Sequence, residues 1–180
     1  MPSERRAQGA AERRERRAAL TDPGPVMVAA AAFLAVRPRS IGETRRRLRQ
    51  LGYPEALVDQ VVERLAELDY LDDVAFARAW VESRDRARPR GASALRRELA
   101  LKGVSREIVD DILAERSERA TEVEPDRRAA MALIERHRSS LEREDNPVKR
   151  RQKAYALLAR KGFDPETCRE VASHWCLQAR

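Results

Sequence analysis

The chain is predicted to be all-α, three tandem three-helix repeats behind an N-terminal tail, and three observations predict it. Charged residues make up 37% of the sequence while aromatics make up 4% and glycines number 7. That balance suits helices carrying solvated charge and starves strands of the aromatic, β-branched and turn residues they need. Apolar residues recur at helical spacing along most of the chain. One pattern then returns three times around a glycine. A leucine stands four residues before it (Leu48, Leu99, Leu158), a bulky apolar residue directly after it (Tyr53, Val104, Phe163) and another apolar residue nine after it (Val61, Ile112, Val171). The glycines themselves are Gly52, Gly103 and Gly162.

Taken in order, residues 1–24 mix Arg, Glu and Ala without an apolar stripe. They are expected to be disordered or weakly helical, having too little apolar surface to offset the entropy of ordering. Repeat 1 is expected over residues 25–69. Val26 to Val36 reads as a short buried helix with Ala30, Phe33 and Leu34 inward, ended by Pro38. A second helix leads to Gly52, and a third carries Leu57, Val58, Val61, Val62, Leu65 and Leu68 at helical spacing.

Repeat 2 is expected over residues 70–118. After Leu71, either Asp72 or Asp73 can cap a helix, since a short side-chain oxygen accepts a free N–H of the opening turn. Phe76, Ala77 and Trp80 then share one face, and Pro89 and Gly91 break the chain. Leu95 and Leu99 form the stripe of the next helix, and Gly103 supplies the left-handed residue that ends it. Ile108, Val109, Ile112 and Leu113 follow. Repeat 3, over residues 124–180, opens with a helix from Asp126 to about Leu141 with Ala130, Met131 and Ile134 inward. Its last helix carries Cys168, Val171, Ala172 and Trp175. A unit of about 50 residues is marginal alone, so neighbouring units should pack into an elongated array.

The formal net charge is +7 and the isoelectric point about 10.1, which points to an acidic partner, a phosphate backbone or an acidic protein surface. Charge follows the repeat. The middle helix of each repeat and its approach are basic: Arg45, Arg46, Arg47 and Arg49; then Arg84, Arg86, Arg88, Arg90, Arg96, Arg97 and Lys102; then Lys149, Arg150, Arg151, Lys153 and Lys161. The third helix is acidic, with Glu55, Asp59, Glu63 and Glu67, then Glu107, Asp110, Asp111 and Glu115, and more weakly Asp164, Glu166 and Glu170. Acids near helix N-termini suit the helix dipole; the remaining cations would form a basic ridge able to follow a phosphate backbone or an acidic groove.

Catalytic and metal chemistry find little footing. Cys168, His174 and Cys176 could suggest zinc, but Cys168 fills the slot of Val58 and Val109 and reads as a core thiol. Trp80 and Trp175 at helical spacing read as core anchors rather than base-stacking platforms. No P-loop, dinucleotide fingerprint or nucleophile elbow is present. No enzyme activity, cofactor or metal is expected. Cys168 and Cys176 stand eight residues apart on one helix, about 12 Å, beyond the roughly 7 Å a disulfide tolerates, so free thiols in a reducing compartment are expected. The run Val26 to Val36 imitates a secretory segment, but acids precede it and Arg37-Pro38-Arg39 follows it. It is also far short of the roughly 20 residues of a membrane span. A cytoplasmic protein, without membrane contact, is the expectation.

These residues resemble a known family. Leu71-Asp72-Asp73, then Phe76-Ala77, Gly91, Leu95, Glu98-Leu99 and Lys102-Gly103-Val104, is similar to the central motif of the RecX family. Arg37-Pro38-Arg39-Ser40 leading to Leu48 and Gly52-Tyr53 resembles that family's first repeat, and Lys153 to Phe163 its third. The chain departs from the family at Arg90-Gly91, where an aromatic-glycine pair is common. The resemblance implies a curved array of three-helix repeats acting as a modulator of the RecA recombinase. Such a protein binds the RecA–single-stranded DNA filament, blocks its extension or promotes its loss, and so reduces ATP hydrolysis, strand exchange and SOS co-protease activity. RecA is the expected partner, single- or double-stranded DNA is a further candidate, and the chain is expected to be a monomer. The alternative is a sequence-nonspecific DNA-binding helical protein that acts without RecA.

Overall fold

The structure, a computed structural model, describes residues 2–118 and 123–178. Among the described residues it is helical throughout, with no strand. The helices are α1 (Pro2–Ala18), α2 (Gly24–Leu34), α3 (Ile41–Gln50), α4 (Glu55–Glu67), α5 (Asp73–Ala87) and α6 (Ala92–Lys102). They continue with α7 (Arg106–Glu118), α8 (Pro125–Arg136), α9 (Arg138–Leu141), α10 (Pro147–Arg160) and α11 (Pro165–Gln178). No described helix is long and apolar enough to cross a membrane. The chain divides into two compact units, one of Met1–Phe76 with Lys102–Val104, the other of Ala77–Leu101 with Ser105–Arg180.

In the first unit, the segment expected to be disordered or weakly helical takes the helical form as α1. With no apolar stripe, it docks through an arginine. Arg17 donates to the Leu51 carbonyl at 3.1 Å, at the end of α3, and its guanidinium lies 5.3 Å from the centroid of the Tyr53 ring. The core beneath is built by Val26 and Ala30 of α2, Leu48 of α3, Val58, Val61, Val62 and Leu65 of α4, and Leu71. Phe33 and Leu34, expected inward, are only half-buried; Phe33 is roofed instead by the Arg39 guanidinium, 4.0 Å above its ring. Ser40 and Glu43 form a reciprocal capping box on α3, each side chain answering the other's backbone N–H.

Of the two candidate caps on α5, Asp72 is the one used. Its Oδ1 accepts the N–H groups of Val74 and Ala75 at 2.8 and 3.0 Å. Leu71, Phe76, Ala77, Leu95, Leu99, Val104, Val109, Ile112 and Leu113 are all buried. Trp80 is half-buried, because its indole N–H turns out to Glu98 at 2.9 Å.

The second unit is centred on α8, α10 and α11, whose core includes Ala130, Leu133, Ile134, Leu157, Leu158, Phe163, Cys168, Val171 and Trp175. Cys168 sits there fully buried, as its slot in the repeat predicted, while Cys176 is half-buried; both are free thiols. The expected helix from Asp126 to Leu141 is broken at His137, which separates α8 from α9. His137 leaves helical geometry at φ −108° and ψ 8°, and its Nδ1 lies 3.0 Å from the Leu133 carbonyl. Met131, expected inward, is 43% exposed; Ala129 and Leu133 share the buried face with Ala130 and Ile134 instead.

Candidate partner-binding surface

The positions of the cations follow from how each middle helix is held. The first turn of α3 meets three groups. The Ile41 N–H donates to Asp73 Oδ1 at 2.9 Å, and Ser40 Oγ donates to the Lys102 carbonyl at 2.6 Å. Gly42 lies against the turn after α6, so close that a Cβ there would come 2.6 Å from the Lys102 oxygen and 2.7 Å from Gly103 Cα. The same joint is built again at α6. The Ala92 N–H donates to Asp126 Oδ2 at 2.8 Å, the Gly91 N–H donates to the Lys161 carbonyl at 3.1 Å, and a Cβ on Gly91 would fall on the Gly162 backbone. Both receiving turns are left-handed, with φ of +82° at Gly103 and at Gly162, a conformation that glycine adopts without strain. The helices α3 and α6 therefore each start on the acid that opens a later helix and on the glycine turn of the following repeat. Gly91 is required there for backbone approach, since any Cβ would meet the Gly162 carbonyl and the Phe163 nitrogen.

Both acids are buried. Burial pushes the Asp73 carboxyl above its ordinary range, opposed by the Ile41 N–H. Asp126 has a compensating cation: Arg116 Nη1 lies 2.6 Å from Asp126 Oδ1, and its Nη2 lies 2.8 Å from Asp85. Burial would lower the Arg116 pKa, but its two carboxylate partners hold it above its usual value.

The acidic third helices neutralise a definite subset of the ridge. Arg45 pairs with Asp59 at 2.8 Å and Arg96 with Asp110 at 2.9 Å. In both repeats the arginine stands seven residues before the turn glycine and the aspartate seven after it. Arg49 adds Glu55 and, at 3.8 Å, Asp59. Glu98 gathers three donors: Trp80 Nε1 at 2.9 Å, Arg84 at 2.6 Å and Arg90 at 3.2 Å. Arg84 also stacks 4.2 Å from the Trp80 centroid. Burial would raise the Glu98 pKa, but the hydrogen bonds from Arg84 and Trp80 carry it below its normal value. Lys102 pairs with Glu43 at 3.1 Å, Lys153 with Glu144 at 2.5 Å, and Arg150 donates to the Glu144 carbonyl at 2.9 Å.

What remains outward is a smaller set. Arg47, Arg86, Arg88, Arg97, Lys149 and Arg151 are exposed and make no ion pair among the described residues, and Lys161 is half-buried; Arg46 is exposed too, but it is not without a partner. Arg46 and Arg97 occupy the same repeat position, six residues before Gly52 and Gly103. The sequence pattern places all these cations on one ridge, whereas Arg45, Arg49, Arg84, Arg90, Arg96, Lys102, Arg150 and Lys153 have partners within the fold. The common offset of Arg45–Asp59 and Arg96–Asp110 was the signal that could have found two of them.

Three family models match in chain order: the RecX first three-helix domain over residues 27–65, the second over 72–113 and the third over 125–172. The chain is 35% identical to the "Regulatory protein RecX" of Chlorobium phaeobacteroides over 84% of its own length and 93% of the relative's. It is 32% identical to that of Prosthecochloris aestuarii, over 79% of its own length and 87% of the relative's. It is 34% identical to that of Mycolicibacterium smegmatis, over 78% and 74%. The crystal structure of RecX from Lactobacillus salivarius superposes with a TM-score of 0.72 over 86% of this chain and 97% of that one, at 19% identity, a likeness of fold. Three matched domains in order, on the glycine turns and joints described, make this chain a member of the RecX family of regulatory proteins.

Proposed function

We propose that the protein regulates a RecA recombinase by binding the RecA–single-stranded DNA filament and restraining its extension, and with it ATP hydrolysis, strand exchange and SOS co-protease activity. It does so without chemistry of its own. The observation that carries this reading is the set of cations that stay exposed and make no ion pair among the described residues: Arg47, Arg86, Arg88, Arg97 and Lys149. Cations that are spent on carboxylates of the same fold offer little to a partner. Exposed guanidinium groups keep their donors for a partner's carboxylates or phosphates. Association through such groups is steered by charge and weakens with salt.

Titrating the full-length protein into RecA assembled on single-stranded DNA tests the reading through ATP hydrolysis. Hydrolysis should fall progressively at protein concentrations below that of RecA, because a molecule that stops extension acts on more than one subunit. Unchanged hydrolysis over all stoichiometries, with tight binding to bare DNA, would favour a DNA-binding protein that acts without the recombinase.

A further inference from the structure

Repeat 3 breaks the rule that repeats 1 and 2 obey. Where these carry Arg45 with Asp59 and Arg96 with Asp110, repeat 3 carries Tyr155 and Arg169. The acid has become a base and its partner an aromatic ring. A cleft opens there between α10 and α11, of about 410 Å³, lined by Arg151, Gln152 and Tyr155 on one side and Arg169, Ala172 and Ser173 on the other. Arg151 and Arg169 are exposed and make no ion pair among the described residues. Tyr155 is half-buried, packed against the core and lining the cleft.

The edge of α10 differs in the same sense. The positions that in the earlier repeats let a glycine turn approach, held by Ser40 and Gly42 or by Gly91, are held here by Arg150 and Gln152, with Arg151 between them. Side chains of that length do not admit a backbone at Cβ distance. Arg150 donates to the Glu144 carbonyl, so Arg151 is the cation that this edge brings to the cleft.

We propose that this α10–α11 cleft binds one nucleotide of a single-stranded nucleic acid, its base against Tyr155 and its flanking phosphates on Arg151 and Arg169. The cleft offers two cations, an aromatic face and the small side chains of Ala172 and Ser173, which leave room for a planar ring. A duplex keeps its bases stacked internally and cannot present one to Tyr155. An acidic peptide would satisfy the arginines but would leave the ring unused.

The test is fluorescence anisotropy of a labelled oligodeoxythymidine with the full chain alone. No recombinase is present, so its outcome is independent of the filament reading. Arg151→Gln and Arg169→Gln should each lower the slope of log affinity against log salt by about 0.7. Arg169→Asp, which restores the acid of the other repeats, should weaken binding at least tenfold. Tyr155→Leu should weaken it roughly 5- to 100-fold with the salt slope unchanged, the signature of lost stacking. Circular dichroism of each sample reports whether the helices are retained. Unchanged affinity in folded Arg169→Asp and Tyr155→Leu overturns the proposal. So does equal affinity for a duplex of the same charge, or a loss in the arginine variants alone with polyglutamate competing as well as the oligonucleotide.

Discussion

Asp126 Oδ2 accepts the Ala92 N–H at 2.8 Å while Asp126 Oδ1 holds Arg116 at 2.6 Å. One buried carboxylate thus starts α6 and neutralises the cation that also reaches Asp85. Asp73 performs the first of these tasks for Ile41 and has no comparable arginine at 4 Å or less among the described residues. Two acids in equivalent joints are therefore expected to respond differently to substitution.

Arg116→Leu strands two carboxylates, one of them buried, and should cost about 3–5 kcal/mol of stability. Urea unfolding followed by helical ellipticity measures it. A loss below about 1 kcal/mol would mean that Asp126 is satisfied by Ala92 alone.

At Asp73 the amide variant keeps the acceptor and removes the buried charge. Asp73→Ala should destabilise by about 1 kcal/mol, the usual worth of a helix N-terminal acceptor, and Asp73→Asn should stay close to the parent. The sign with pH follows from burial. The folded carboxyl titrates above the ordinary 3.8, so this group's contribution declines as pH rises from 3.8 through its folded value. Asp73→Asn should remove that decline. Stability curves of the two proteins that stay parallel from pH 4 to 7 would contradict it.

Glu98 has the opposite sign. Burial would raise its pKa, but its bonds from Arg84 and Trp80 set it below 4.5. Its contribution is present above pH 4.5 and is lost as pH falls through the folded value. Glu98→Gln should be less stable at neutral pH and should lose less on acidification than the parent, read from thermal melts between pH 3 and 7.

Leu99 is fully buried four residues before Gly103. Leu99→Ala should cost about 2–5 kcal/mol, the transfer of the lost methyls plus the cavity left behind. Urea midpoints check it, and an unchanged midpoint would mean that the site collapses around the smaller side chain.

The fold is legible in the sequence where burial sets the pattern. Leu48, Leu99 and Leu158 are all fully buried, and Gly52, Gly103 and Gly162 all take positive φ, because helical spacing and left-handed turns leave direct marks on residue type. Other features leave no such mark on residue type. Met131 turned outward because a one-residue choice within α8 does not alter the spacing of its neighbours. The break at His137 left no glycine or proline to announce it. Charge was the least legible, since an arginine bonded to the next helix and an arginine open to solvent have the same identity; only tertiary placement separates Arg96 from Arg97. Asp73 and Asp126 were hidden for a related reason, since their partners, Ile41 and Ala92, are 32 and 34 residues away.

That separation also gives the most direct test of the filament reading. Reversal of an exposed arginine should weaken regulation without disturbing the fold, whereas reversal of its paired neighbour disturbs the contact between helices. The decisive measurement is inhibition of RecA ATP hydrolysis by Arg97→Glu and by the parent at equal concentration, with urea midpoints taken on the same samples. The account predicts an unchanged midpoint and inhibition weakened at least tenfold. Full inhibition by a normally folded Arg97→Glu protein, repeated with Arg47→Glu, would contradict it.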